Sequence, residues 1–202
     1  MTEQFYDGLL NIKTGETQWG FNKSFHYHRY EPTPYCALEI LFDQYQLKSS
    51  DRVVDFGCGK GRLNFYIHYL FNATVVGIEM NESIYFEAIE NRMNYLKKTH
   101  KSKENILFHY CLAEEYQIDP LDNRFYFFNP FSIQIFMKII KNILLSVEES
   151  AREVELVLYY SSEDYLYFLE NHPSFELKEE IFLTQIYGHN PYERFLIYRL
   201  TY

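Results

Sequence analysis

The sequence predicts an α/β fold: a doubly wound, mostly parallel sheet of seven strands that closes in a C-terminal antiparallel hairpin. Three observations carry this. From Tyr35 onward, short β-branched or aromatic runs alternate with longer stretches of helical spacing. The run Val53-Val54-Asp55-Phe56 passes directly into Gly57, Gly59 and Gly61, and glycines at alternate positions let a strand turn sharply into a helix where a ligand approaches. The last two apolar segments, 175–187 and 194–201, have no helix between them.

Residues 1–34 show no sustained period, yet they collect Phe5, Tyr6, Trp19, Phe21, Phe25, Tyr27 and Tyr30. Such a segment must pack on something. It reads either as an N-terminal extension covering an apolar face of a domain at 35–202 or as a lid over a ligand. His26 and His28 alternate without a nearby carboxylate or thiol, a poor pattern for a metal, and none is expected.

Pro32-Thr33-Pro34 punctuates the chain before a helix that carries Leu38, Leu41, Phe42 and Tyr45. Ser49-Ser50-Asp51 makes a turn, and Arg52 to Phe56 forms the strand leading into the glycines. The next helix, Leu63 to Phe71, is apolar on most faces, as a helix between a sheet and another layer would be. Thr74 to Glu79 is a short strand ending on an acid, and Asn81 caps a helix with an apolar stripe through Ile84, Ala88 and Ile89. That helix ends in Lys97-Lys98-Thr99-His100-Lys101-Ser102-Lys103, a basic run suited to a helix C-terminus.

A third strand spans Ile106 to Tyr110, and Glu114-Glu115-Tyr116 opens a helical turn. Phe125 to Phe128 is continuously apolar, as a parallel strand buried on both faces should be, and Ser132 caps the long helix after it. Val154 to Tyr160 is the fifth strand, and Ser162 caps a helix stopped by His172-Pro173. Gly188-His189-Asn190-Pro191 joins the two hairpin strands.

The 202 residues favour one domain with a substantial core, and 20 Tyr and 18 Phe make that core aromatic. A formal net charge of −9 opposes unaided binding to nucleic acid or to an anionic membrane. Cys36, Cys58 and Cys111 form no Cys-x-x-Cys pair, which points to free thiols in a reducing compartment. With no leader pattern and no apolar run of membrane-spanning length, a cytoplasmic location is expected.

The glycine spacing is Gly-x-Gly-x-Gly, whereas a dinucleotide site uses Gly-x-Gly-x-x-Gly. Asp55, two residues before the first glycine, would be unwelcome beside a pyrophosphate but suits a cationic amino group. On these residues the chain from about Tyr35 onward resembles the class I S-adenosylmethionine-dependent methyltransferases, with a Rossmann-like sheet. The resemblance implies that Asp55, Gly57, Cys58, Gly59 and Gly61 form the first cofactor motif, and that Glu79, 24 residues after Asp55, holds the ribose hydroxyls.

Met80 then packs on the adenine or belongs to the core. Where the family commonly has Gly-Asp-Ala, this chain has Cys111-Leu112-Ala113; the Ala113 backbone N–H can serve the adenine ring, and Glu114 either takes the adenine amino group or is a plain surface acid. Asn129-Pro130-Phe131 resembles, with one proline missing, the Asn-Pro-Pro-Tyr/Phe motif of nitrogen-directed methyltransferases. It is either the catalytic stretch facing an unidentified methyl acceptor or a structural turn. The implied alternatives are a nucleic-acid N-methyltransferase and a non-catalytic S-adenosylmethionine-binding protein. Gly59→Val is expected to fill the space the ligand occupies.

Overall fold

A computed structural model describes residues 2–15, 30–99 and 103–201. The chain runs through α1 (Glu3–Leu10), α2 (Tyr35–Gln44), β1 (Arg52–Phe56), α3 (Arg62–Phe71), β2 (Thr74–Glu79), α4 (Glu82–Thr99), β3 (Ile106–Tyr110) and β4 (Arg124–Phe127). It continues with α5 (Ile133–Glu149), β5 (Glu155–Tyr159), α6 (Glu163–Glu170), β6 (Phe175–Phe182), α7 (Thr184–Tyr187) and β7 (Arg194–Leu200). The strands form one sheet in the order β3-β2-β1-β4-β5-β7-β6. The first five are parallel, and β7 is antiparallel to both β5 and β6. This is the mostly parallel, Rossmann-like sheet with an antiparallel hairpin that the sequence predicts.

Alternation along each strand divides the core between two faces. Val53, Val75, Tyr126, Val157 and Ile197 pack under α1, α2, α3 and part of α4. Val54, Val76, Phe125, Phe127 and Leu156 pack under α5 and α6. Asp55 shares the parity of Val53 and pairs in register with Gly77 on one side and Tyr126 on the other, so it points to the first face. A parallel sheet of this kind binds ligands at the C-terminal edge where strand order reverses, here between β1 and β4.

Two elements differ from expectation. Residues 3–10, which have no evident period, form α1, capped by the Thr2 hydroxyl at the Phe5 N–H and closed by Asn11 in the left-handed region (φ 57). Tertiary bonds hold this two-turn helix: Tyr6 donates to Glu39, and Asp7 accepts from Tyr35 Oη (2.8 Å) and Thr14 Oγ1 (2.7 Å). The predicted strand at 175–187 is shorter, because Leu183 ends it and α7 follows, closed by Gly188 at φ 62. Most of its length is the edge strand β6, whose alternating burial is far weaker than that of the central strands.

The opposite, N-terminal edge of the sheet is fastened by Glu155, which is buried. Its carboxylate accepts from Tyr45 Oη (2.6 Å) and Lys178 Nζ (2.5 Å) and faces Arg124 Nε at 3.4 Å. Burial alone would raise its pKa, but the bonds from Lys178 and Tyr45 and the charge of Arg124 hold it below the usual carboxylate range. Its contribution is therefore present above the unfolded pKa and lost as pH falls through the folded one. Glu155→Ala is expected to lower stability by about 3 kcal/mol at neutral pH, read from the urea midpoint at constant m-value. A loss below about 0.5 kcal/mol would contradict this, since that is the range of neutral surface changes.

Candidate active site

The glycine loop after β1 is held to β2 by its own backbone: the Gly57 and Cys58 N–H groups donate to the Ile78 carbonyl at 2.9 and 3.0 Å. Gly57 and Gly59 have φ values of 80° and 56°. Both also lie under close contacts. A Cβ on Gly57 would stand 2.8 Å from Pro130 Cβ, and one on Gly59 would stand 2.0 Å from the Tyr30 ring. The loop thus meets the turn after β4 on one side and the segment before α2 on the other.

Two buried carboxylates face the cavity beneath. Glu79 Oε2 accepts from the Gly59 N–H (3.1 Å) and Oε1 from the Asn81 N–H (2.7 Å); burial raises its pKa and these bonds oppose the rise. Asp55 finds no hydrogen-bond donor among the described residues. Burial, and after it the charge of Glu79, push its pKa up to about 8. A buried carboxyl without a donor is costly to ionise, so this one calls for a cation or a donor from a ligand.

The cavity has a volume of about 100 Å³. Met80, Ile84, Cys111 and Ala113 make one wall, and Tyr126, Phe128 and Pro130 make the other. Residues 30–33 form its roof. Tyr30 lies on Gly59 and donates to the Thr14 carbonyl (3.0 Å), while Thr33 Oγ1 and Tyr126 Oη are 2.8 Å apart.

Arg62, at the start of α3, ties the roof to the glycine loop. Its Nε donates to Thr14 Oγ1 (2.7 Å), and its Nη1 to the Thr33 carbonyl (3.2 Å) and to Glu3. The guanidinium also lies 4.5 Å from the centre of the Tyr35 ring. Asn91 on α4 reinforces the joint, donating to the carbonyls of Lys13 (3.1 Å) and Lys60 (3.0 Å) and accepting from the Lys13 N–H (2.8 Å).

Of the residues singled out from the sequence, Asp55, Gly57, Cys58, Glu79, Met80, Ala113, Pro130 and Phe131 line the cavity. Gly59 and Gly61 shape the loop without lining it: Gly59 carries the Tyr30 ring, which takes the space assigned to ligand, and Gly61 caps α3 against Phe108. Glu114 lies outside the lining. Its carboxylate faces Lys138 at 3.8 Å, and its carbonyl accepts from Asn142, so α5 engages the residue expected at the adenine. Asn129 also lies outside the lining, half-buried at φ 40 in the turn between Phe128 and Pro130. The Phe131 ring is 1% exposed and packs edge-on against Phe127 in the core, and its carbonyl accepts from Tyr165 Oη (2.5 Å). A ring so enclosed presents no face for stacking on a substrate, whereas the half-buried Phe128, which also lines the cavity, does.

Sequence reasoning missed Arg62, Thr33, Tyr126 and Phe128. Tyr126 had a usable signal, because it holds the same place in β4 that Asp55 holds in β1. His26, His28 and most of the basic run after Thr99 lie outside the described residues. Among the described residues, no group of His, Cys, Asp and Glu is arranged to hold a metal, and no helix is long and apolar enough to cross a membrane.

Comparison with known proteins places this geometry. Residues 47–148 match the family described as "Methyltransferase domain". The 24-methylenesterol C-methyltransferase 2 of Arabidopsis thaliana is 31% identical over 84 residues, 39% of this chain; the match spans only 23% of that enzyme's length. An RNA methyltransferase from Salinibacter ruber, solved with S-adenosyl-L-homocysteine, superposes with a TM-score of 0.53 at 14% identity, over 85% of this chain and 93% of that one. An rRNA methylase from Streptococcus thermophilus gives a TM-score of 0.55 at 15% identity, over 85% of this chain and 97% of that one.

Proposed function

The chain belongs to the methyltransferase-domain family of S-adenosylmethionine-dependent enzymes, and on that premise we propose that it methylates a nitrogen of a small molecule or protein. The cavity fits the family's methyl donor in its chemistry. Asp55 is buried without a donor among the described residues, where an ammonium group would be placed, and Glu79 keeps lone pairs for two hydroxyls after accepting from Gly59 and Asn81. Met80, Ile84 and Ala113 offer an apolar slot for a flat base. Its volume, about 100 Å³, is below the roughly 300–1,000 Å³ usual for cofactor sites. Residues 30–33 accordingly act as a lid, and Tyr30 lifts from Gly59 as the site fills.

What bound S-adenosylmethionine supplies is a sulfonium-activated methyl group, open to in-line displacement. The chain's own task is alignment and the exclusion of water. The contact that carries the assignment is Pro130 against Gly57, which sets the turn 128–130 directly on the glycine loop. There the Asn129 amide, outside the lining of the closed cavity, accepts from the acceptor's N–H once the roof has lifted and leaves the nitrogen lone pair directed at the methyl carbon. As the C–N bond forms, the C–S bond breaks and its electron pair goes to sulfur, and the surplus proton on nitrogen passes to water. A nucleic-acid acceptor, as the two superposed structures are named for, is disfavoured by the net charge of −9.

Asn129→Gly tests this reading, because glycine keeps the left-handed turn and removes only the amide. Methyl transfer from labelled S-adenosylmethionine to an amine panel should fall about 100-fold in kcat, with S-adenosylhomocysteine affinity unchanged. Full turnover in that variant would make Asn129 a turn residue only.

A further inference from the structure

Beyond the cavity, the C-terminal ends of β4 and β5 carry a run of aromatic rings that the cofactor does not require. The register Phe127↔Leu158 sets Phe128 beside Tyr159, and their ring centres are 4.6 Å apart. The run continues from Phe128 to Tyr160 (6.5 Å) and from Tyr160 to Tyr192 (5.7 Å). Phe128 and Tyr160 are half-buried and Tyr192 is 40% exposed, so this is a wall reaching from the cavity to the surface. Tyr160 holds φ 51, a left-handed conformation that is rare for an aromatic residue and costs about 1–3 kcal/mol.

Carboxylates border the wall. Tyr192 Oη donates to Glu163 (3.2 Å), the buried Tyr159 Oη donates to Glu193 (2.5 Å), and Glu31 stands in the roof. The nearby Arg194 is engaged by Glu180 at 2.6 Å. Aromatic faces bordered by carboxylates attract cations and repel phosphates.

From this, and resting on the methyltransferase reading above, we infer that Phe128, Tyr160 and Tyr192 form the acceptor subsite and that the acceptor is a small cationic amine. Glu163 and Tyr192 draw in the ammonium form at the surface end, and the ring faces pass it inward to Phe128 at the cavity. On release of one proton to water, the amine nitrogen exposes the lone pair that attacks the methyl carbon beside Pro130.

The test uses protein saturated with S-adenosylhomocysteine and three probes of one shape: 2-phenylethylamine, 2-phenylethanol and 3-phenylpropanoate. The amine should bind at least about fivefold more tightly than the alcohol, and the anion should bind most weakly. Tyr192→Leu should weaken amine binding about three- to tenfold and leave the alcohol unchanged, whereas Tyr192→Phe should keep most of the amine affinity. Both variants should bind S-adenosylhomocysteine as the wild type does. If S-adenosylhomocysteine binds but the amine shows no preference over the alcohol, the subsite is refuted and the methyltransferase reading stands. A salt-dependent complex with an RNA stem-loop that displaces the amine would also refute it. Absence of S-adenosylhomocysteine binding in folded protein would refute the underlying reading, and the subsite with it.

Discussion

Gly59→Val is expected to lose S-adenosylhomocysteine binding by at least about 100-fold and to lower the melting temperature by several degrees. Two costs add. A β-branched residue at φ 56 is strained by about 1–3 kcal/mol. Its Cβ would also stand 2.0 Å from the Tyr30 ring, so that ring must leave. Tyr30 cannot move alone, because its hydroxyl is bonded to Thr14, and Thr14 is bonded to Arg62 and Asp7. The substitution therefore disturbs the roof as well as the loop. Replacing Tyr30 by Ala in the same chain should recover part of the melting temperature, since it removes the collision and leaves only the backbone strain. A Gly59→Val protein that melts and binds like the wild type would show that Tyr30 does not rest on the loop.

The second large effect is on pH dependence. Asp55 has its pKa pushed up to about 8, against an unfolded value of about 3.9. The folded state therefore holds the proton more tightly than the unfolded chain. This contribution to stability is fully present below the unfolded pKa and is lost as pH rises through about 8. A ligand ammonium beside the carboxylate favours its charged form, so binding releases a proton. S-adenosylhomocysteine affinity should rise with pH, by up to about tenfold per unit below pH 8, and level off above it. Calorimetry in buffers of different ionisation enthalpy reads the released proton directly. Asp55→Asn should abolish that release, weaken binding, and make the free protein more stable than the wild type above pH 8. Affinity that falls with rising pH would contradict the placement of Asp55.

How much of this was legible in the sequence depends on how local each feature is. Phe125 to Phe128 reads as a buried parallel strand because both of its faces are covered, and β4 does lie between β1 and β5. The glycine loop and its flanking acids are equally local: one strand end, one turn and the next strand end hold Asp55, Gly57 and Glu79. The helix α1 was hidden because it is two turns long with Gly8 inside it, and its stability comes from Glu39, Thr14 and Tyr35, which are distant in sequence. A lid from residues 1–34 was one reading of the sequence, but the bonds that fasten it were hidden for the same reason. Arg62 meets Glu3, Thr14 and Thr33 across separations of 59, 48 and 29 residues, and no local pattern marks such a hub. The motif resemblance leaves Phe131 either on the acceptor side or in a structural turn, and the ring direction, which follows from the turn at Asn129, decides it: the ring packs into the core, and Phe128 is the half-buried ring beside it at the cavity.

Calorimetric titration of S-adenosylhomocysteine into the folded protein at pH 8 decides whether the cavity beneath the glycine loop is the methyl-donor site. Saturable one-to-one binding is expected, with Kd on the order of micromolar, weakened about 10- to 100-fold by Glu79→Ala, which removes the acceptor of the ribose hydroxyls. No binding at millimolar ligand, or binding that Glu79→Ala leaves unchanged, would contradict it.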